Sequence, residues 1–430
     1  MATEHTLAEA IIAGHTGDRA GAGSICRARV DFAFANDITA PPAIKEFGRI
    51  GAEKMFDPGR TAIVADHFTP NKDIASANNA KQCRAFAKKM DMRFWETGRC
   101  GVEHAFLPEQ GLVLPGDLVV GADSHTCTGG ALGAFATGMG STDLAVAWAL
   151  GEVWLRVPET IRVDYSGSRS PWVTGKDLIL DLIGRIGVDG ARYMALEIAG
   201  GAIDALPLDD RLTMANMAIE AGGKAGLFIP DGTTLAYAAA RAERPFKPAY
   251  PDAGARYARR IEIDVTALEP VVALPHLPDR VKKAGECGEL RIDQAFIGSC
   301  TNGRLRDLAL AAAVLKGRTV HPDLRLIVIP ASYEVYNESM KRGYIQTFLD
   351  AGAVVTTPSC GPCLGGHLGI LASGERCLST SNRNFVGRMG AADSEVVLAG
   401  PLVAAAGAVL GRVADPRELL GDDPAALGGI

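Results

Sequence analysis

Two apolar runs in the last third of the chain each close on cysteine within a turn of small residues. They constrain the fold more than any other feature. Gln294-Ala295-Phe296-Ile297 leads into Gly298-Ser299-Cys300-Thr301-Asn302-Gly303, and Ala353-Val354-Val355 leads into Thr357-Pro358-Ser359-Cys360-Gly361-Pro362-Cys363. Short apolar runs bounded by Gly, Pro and Ser read as buried strands. A helix-like pattern is expected after each turn. Between the turns, the pattern predicts a helix over Arg304 to Leu315, a strand over Leu324 to Ile329, a helix over Tyr333 to Phe348 and a strand over Ala353 to Thr356. Such alternation builds a parallel sheet with crossover helices, so the fold class is α/β. A thiolate at a strand end in a Gly/Ser-rich turn has backbone N–H groups nearby to support its charge. Cys360 and Cys363 with the distant Cys300 make an incomplete four-cysteine metal site, which leaves one metal position open for chemistry.

Two other chemistries use similar residues. Cys-Gly-Pro-Cys after a strand also marks thiol–disulfide oxidoreductases. Here Ser359 stands where such motifs usually carry an aromatic residue, and a chain of 430 residues is far longer than a thioredoxin-like unit. A closed zinc site would need a fourth ligand, for which His367 is near enough in sequence.

The chain has room for two to four domains. A formal net charge of −6 without a basic stripe argues against a nucleic-acid binder. Nine scattered cysteines do not form a disulfide framework, and Cys26, Cys83, Cys100, Cys127, Cys287 and Cys377 read as ordinary reduced thiols. Met1 to Ala10 is polar and mixed, unlike a signal peptide. The apolar run Val396 to Gly411 is too short, and too broken by Gly400, Pro401 and Gly407, for a membrane span. A reducing cytoplasm is the expected compartment.

Taken in order, Thr6 to Ala13 reads as a short amphipathic helix and Val30 to Phe34 as a strand leading to the loop Asn36 to Pro42. Thr61 to Ala65 is a buried strand ending in Asp66-His67, where a carboxylate beside an imidazole can orient it and raise its basicity. Many Asp-His pairs are incidental, but in open α/β sheets ligands gather where strands end. Lys72 to Lys89 reads as a helix. Leu118 to Ala122 is a second such strand, ending in Asp123-Ser124-His125 and a turn, Gly129 to Phe135, able to approach an anion. Ser141 and Thr142 offer caps to a helix over Asp143 to Arg156. A new unit starts at Ile161, with a helix over Lys176 to Gly187 and a strand over Ala195 to Ile198. Asn216 and Glu220, four apart in a helix-like stretch, share a face. Residues 243–257 and 270–283 read as irregular connections. Domain boundaries are expected at 1–160, 161–288 and 289–430, with the tail from Asp415 on the surface. Ser379 to Arg388 supplies Asn382, Arg383 and Arg388, arginines suited to a fork on carboxylates.

Ser-Cys-Thr-Asn at 299–302, Ser-Cys-Gly-Pro-Cys-Leu at 359–364 and Ser-Asn-Arg-Asn-Phe-Val-Gly-Arg at 381–388, in that order, resemble the aconitase superfamily. The resemblance runs from about residue 5 to about residue 417. It implies three α/β domains around a [4Fe–4S] cluster held by Cys300, Cys360 and Cys363, and a dehydratase/isomerase that moves a hydroxyl between neighbouring carbons of a 2-hydroxy di- or tricarboxylate. Asp66 and His67 would protonate the departing hydroxyl, His104 would lie beside the site, and Asp123, Ser124, His125 and Glu220 would contact substrate or cluster-bound hydroxyl. Asn382, Arg383 and Arg388 would hold carboxylates. One departure is Pro42, where many members have Gln. The family's serine base sits on a swivelling fourth domain. Only about 40 residues follow Arg388, so a separate small subunit is expected to carry that domain.

Overall fold

The computed structural model describes residues 4–16 and 20–428. The α/β expectation holds. The chain divides into two compact units, one drawn from Met1–Glu96, Phe106–Gly167 and Ala191–Asp264, the other from Thr97–Ala105, Ser168–Gly190 and Val265–Ile430.

The first unit is built on a five-stranded sheet in the order Arg93–Trp95, Thr61–Val64, Phe32–Asn36, Leu118–Gly121, Phe135–Gly138, with every neighbouring pair parallel. The three central strands are buried along their whole length. This is why they read as apolar runs without alternation: helices cover both faces of a parallel sheet. Strand–loop–helix units require the polar turns Asp66-His67 and Asp123-Ser124-His125 to emerge at the same, carboxyl edge of this sheet. A second parallel sheet runs Ala225–Phe228, Ala195–Ala199, Thr160–Ser166, Arg259–Asp264. The N-terminal helix Leu7–His15 starts on Thr6, whose backbone and hydroxyl both donate to Glu9 in a capping box.

The second unit holds a seven-stranded sheet whose central ladder, Glu395–Ala399, Arg376–Ser379, Gln294–Ile297, Arg325–Val328, Val354–Val355, is parallel. Val271–Ala273 and Val281–Lys283 extend it as antiparallel strands. Leu308, Leu310 and Val314 from the helix Leu305–Leu315 share its core with Leu402 and Val403 from the helix Pro401–Leu410.

Several local expectations change. The helix predicted over Asp143 to Arg156 is Ser141–Leu150, capped by Gly140 and closed by Gly151 at φ +68°. Glu152–Arg156 then pairs antiparallel with Ile25–Arg29, and the Ser141 hydroxyl donates to Thr39 O instead of capping. Gly343 at φ +78° splits the stretch 333–348 into Tyr333–Lys341 and Tyr344–Asp350. No helix follows Cys363: a single 3-10 turn, Gly361–Leu364, gives way to bends in which Gly365, Leu368 and Gly369 all have positive φ. The irregular connection expected at 270–283 contains two strands. The tail does not simply lie on the surface. Asp415 is buried and pairs with Arg417, which also pairs with Glu269, and Leu427 enters the core. Residues 1–3 of the N-terminal stretch and residues 429 and 430 of the tail lie outside the described residues. Among the described residues no helix is long and apolar enough to cross a membrane.

Gly130 tests the seating of the site-bearing stretch Ser124–Leu132. A Cβ there would meet Gly226 O at 2.0 Å, so only glycine lets the stretch lie against the strand Ala225–Phe228. Gly130→Ala should destabilise the chain by about 1–3 kcal/mol, the usual range for overpacking. The expected reading is a lower denaturation midpoint at unchanged slope.

Candidate active site

In the first unit, the strand Thr61–Val64 ends at Ala65 and delivers Asp66 and His67, both buried. Asp37 fixes the turn. One of its carboxylate oxygens accepts from Asp66 N at 3.1 Å and His67 N at 2.9 Å, the other from Phe68 N at 2.9 Å. Sequence reading passed over Asp37. Its only signal was a carboxylate just after the strand Phe32–Asn36, neighbour to Thr61–Val64 in the sheet. His67 Nδ1 lies 2.6 Å from Asp66 Oδ1 and its Nε2 lies 3.8 Å from Asp123 Oδ2. Burial opposes charge on this imidazole. The Asp66 carboxylate, by charge and hydrogen bond, and then Asp123 and Asp37 outweigh that and hold its pKa well above the ordinary value. The protonated ring is thus the form that these three carboxylates favour.

The strand Leu118–Gly121 delivers the second set. Asp123 caps the 3-10 stretch Ser124–Leu132 by accepting from His125 N at 2.8 Å. His125 sits between two carboxylates, with Nε2 2.8 Å from Glu220 Oε1 and Nδ1 3.4 Å from Asp123 Oδ1. Glu220, expected on a helix face with Asn216, lies on the 3-10 turn Met217–Ala221 that continues the helix Leu208–Asn216. The shared face survives that change of winding, because Asn216 Nδ2 donates to Thr128 Oγ1 at 2.8 Å in the same stretch that holds His125. Asp66, His67, Asp123, His125 and Glu220 therefore form one chain of alternating carboxylates and imidazoles, buried apart from the half-buried Asp123, with Ser124 beside it. Pro42 falls in the helix Ala40–Arg49.

In the second unit, Gln294–Ile297 ends at Gly298, and Ser299 starts the turn Ser299–Asn302 at φ +73°, a left-handed conformation a serine rarely adopts. Thr380 holds this turn from the neighbouring strand end: its hydroxyl accepts from Gly298 N at 2.9 Å and donates to Gly298 O at 3.1 Å. Cys300, Cys360 and Cys363 are all buried, and none is in a disulfide. Asn382 joins two of them, its Nδ2 donating to Cys300 Sγ at 3.4 Å and its Oδ1 lying 3.6 Å from Cys363 Sγ. Arg388 Nη2 donates to Cys363 Sγ at 3.7 Å. Arg383, between them in sequence, is half-buried. His104 belongs to the segment Thr97–Ala105 of this unit, where Gly101 bridges to Ser332. It is buried, 3.5 Å from Glu103 Oε1.

Of the three buried thiols, Cys300 and Cys363 are contacted by an amide and Cys363 also by a guanidinium, and cysteine thiols are the donors that hold iron–sulfur clusters. Lys176, which the sequence placed only as a helix residue, binds the end of the Cys300 turn and the stretch just before Asn382. Its ammonium is fully buried and bonds Thr380 O, Ser381 O and Asn302 Oδ1. Burial pulls its pKa down to about 7, against the pull of Asp307, Cys300, Cys363 and Asp177.

The chain thus combines parallel α/β sheets, an imidazole–carboxylate chain at a strand-end edge of one unit, and three buried cysteines on two turns of the other. The aconitase family (aconitate hydratase) matches residues 9–411, and the chain belongs to that family. Among curated relatives, the 3-isopropylmalate dehydratase large subunit of Moorella thermoacetica is 59% identical over 417 residues, covering 96% of this chain and 99% of the relative. The 3-isopropylmalate dehydratase large subunit 1 of Pyrococcus furiosus is 57% identical over 420 residues, with the same two coverages. Of solved structures, aconitase X of Thermococcus kodakaraensis in its holo-form matches at a TM-score of 0.48 and 15% identity over 82% of this chain and 84% of that chain, a likeness too loose to transfer residues.

The state of His67 is open to direct measurement. With a folded pKa raised above its unfolded value, His67 stabilises the fold below the unfolded pKa, and this is lost as pH rises through the folded one. Imidazole NMR should show His67 titrating well above 6.5, and Asp66→Asn should lower that pKa. An unchanged titration in Asp66→Asn would remove Asp66 as the cause.

Proposed function

We propose that this chain is the large subunit of a 3-isopropylmalate dehydratase, a hydro-lyase that interconverts 2- and 3-isopropylmalate by dehydration and rehydration. The observation that carries the reading is the Asn382 side chain joining Cys300 and Cys363, with Arg388 on Cys363. Two of the three cysteines share one amide across separate loops, which supports reading them as ligands instead of as a redox pair or scattered thiols. Near full-length similarity to curated large subunits of that enzyme supports the substrate.

Cys300, Cys360 and Cys363 would hold a [4Fe–4S] cluster, which when bound supplies a Lewis acid for the substrate hydroxyl. His67, kept charged by Asp66, would give its proton to the departing hydroxyl. Asp123, His125 and Glu220 would orient that oxygen and share its proton, with Ser124 and His104 as polar contacts. Arg383 and Arg388 would grip substrate carboxylates, and Asn382 would keep them in register with the cysteines. No residue here is assigned to remove the carbon-bound proton. That base is proposed to come from a small subunit with a swivelling domain, as the partner implied by the relatives' names. The three ranges 1–160, 161–288 and 289–430 remain our proposal for the folding domains. Nine thiols, none in a disulfide, suit a reducing cytoplasm, where we place the enzyme.

Anaerobic loading with iron and sulfide should give a broad absorbance near roughly 400 nm. Cys360→Ser should abolish it together with turnover. Cys377→Ser should keep both, since Cys377 lies inside a core strand with its thiol pushed up to about 12 by burial. Full cluster retention in Cys360→Ser would sink the ligand set.

Arg383→Lys keeps the charge and loses the planar fork. It should lower kcat/KM at least about tenfold, roughly 1.4 kcal/mol of transition-state binding. Wild-type kinetics in this variant would make Arg383 structural.

The loaded chain alone should be inactive, and adding its small subunit should switch on alkene formation in the ultraviolet. A panel with isopropylmalate, homocitrate and dimethylmalate would then fix the substrate. Turnover by the isolated chain would overturn the two-subunit reading.

A further inference from the structure

Lys176 is an expensive residue to keep where it is. It lies in the first turn of the helix Gly175–Ile186, at the end where the helix dipole disfavours a cation, and its side chain is wholly buried. The helix is pinned by its own neighbours: Thr174 N and its hydroxyl both donate to Asp177 Oδ2 at 2.8 Å, and Asp177 Oδ1 accepts from Val271 N at 2.9 Å. Those contacts would hold the helix without a lysine, so capping does not explain Lys176. Its ammonium bonds outward, to Ser381 O at 2.6 Å, Thr380 O at 2.8 Å and Asn302 Oδ1 at 3.3 Å.

These three acceptors come from two separate loops. Asn302 ends the turn that carries Cys300, and its Nδ2 is itself fixed by Asp307 Oδ1 at 3.0 Å. Thr380 and Ser381 immediately precede Asn382, the residue that reaches both Cys300 and Cys363. An uncharged side chain could satisfy at most part of this set. A carbonyl pair aimed at one point calls for a multiple donor, and an ammonium has three.

We infer that Lys176 is a positioning residue for the cysteine site: it locks the Thr380–Ser381 backbone to the Cys300 turn, sets Asn382 against two of the candidate ligand sulfurs, and in its protonated form would stand as a cation near a cluster held there. The cation role rests on the three-cysteine reading of the site; the locking role does not. Outer partners of metal ligands typically govern affinity by roughly 10–100-fold when removed. A cation near a cluster also favours the reduced, more negative state.

The test compares full-length wild type with Lys176→Met, which keeps length and loses the ammonium. In the unloaded chains, alkylation of Cys300 and Cys363 by iodoacetamide, followed by mass spectrometry, reads the lock without any cluster. It should be at least about tenfold faster in Lys176→Met, as local opening exposes the turn. After anaerobic loading, iron loss to a chelator should be about 10–100-fold faster, and the cluster's reduction potential should move to more negative values. Alkylation and iron loss at wild-type rates in a folded Lys176→Met chain would overturn the inference. Faster loss without the negative shift would overturn its cation part. If Lys176→Met fails to fold, Asn302→Ala, which removes one of the three acceptors, should give smaller increases in the same two rates, and wild-type rates there would overturn the lock. If wild type itself takes up no cluster, the ligand reading fails, while alkylation still decides the lock.

Discussion

A buried parallel strand has to end somewhere, and its last backbone groups must find partners before the chain can turn. That constraint organises this molecule, because here side chains meet it. Asn36 Oδ1 accepts from the N–H groups of Ile38 and Thr39, and Asp37 accepts from three more on the neighbouring loop. Asp123 accepts from His125, and Thr380 holds both polar groups of Gly298. Unpaired, each buried group would cost on the order of 1–3 kcal/mol. The residues that close strand ends thereby become those that aim imidazoles and thiols.

Electrostatics follow from the same placement. Three carboxylates converge on His67 because three strand ends lie side by side, and their sum outweighs the burial that would otherwise discharge the ring. The second unit uses the opposite balance. There Asn382 donates to Cys300 and Arg388 to Cys363, while Lys176 holds the backbone just before Asn382. Under the proposed function, the first unit would supply the acid and the second the ligands of the Lewis acid that a dehydration needs.

The strain in the second unit is local and has a visible counterweight. Ser299 holds φ +73°, and Thr301 N and Oγ1 both turn onto its hydroxyl, at 3.1 and 2.9 Å. With Thr380 on one side and Asp307 on the other, the turn is over-determined. This is the condition under which a strained conformation persists at a functional site. The loop after Cys363 shows the contrast. Its glycines permit positive φ freely, so no helix forms and the chain bends back to the strand Arg376–Ser379.

Local pattern determined a good part of this in advance. Apolar runs without alternation mark doubly covered parallel strands, so Phe32–Asn36, Thr61–Val64 and Leu118–Gly121 were legible within a residue or two. So were the polar dipeptides at their ends, since a period and a terminus are properties of a few adjacent residues. The two cysteine motifs and Ser381 to Arg388 carried the family. What sequence could not give was partnership across the sheet. Asp37 serves a loop that belongs to another strand, Glu220 finds His125 across 95 positions, and Lys176 reaches carbonyls more than two hundred positions away. Nor could it show that Glu152–Arg156 leaves a helical pattern to pair with Ile25–Arg29, because strand pairing is decided by a distant partner. Which polar groups meet is set by sheet order and loop packing, and only the tertiary fold fixes those.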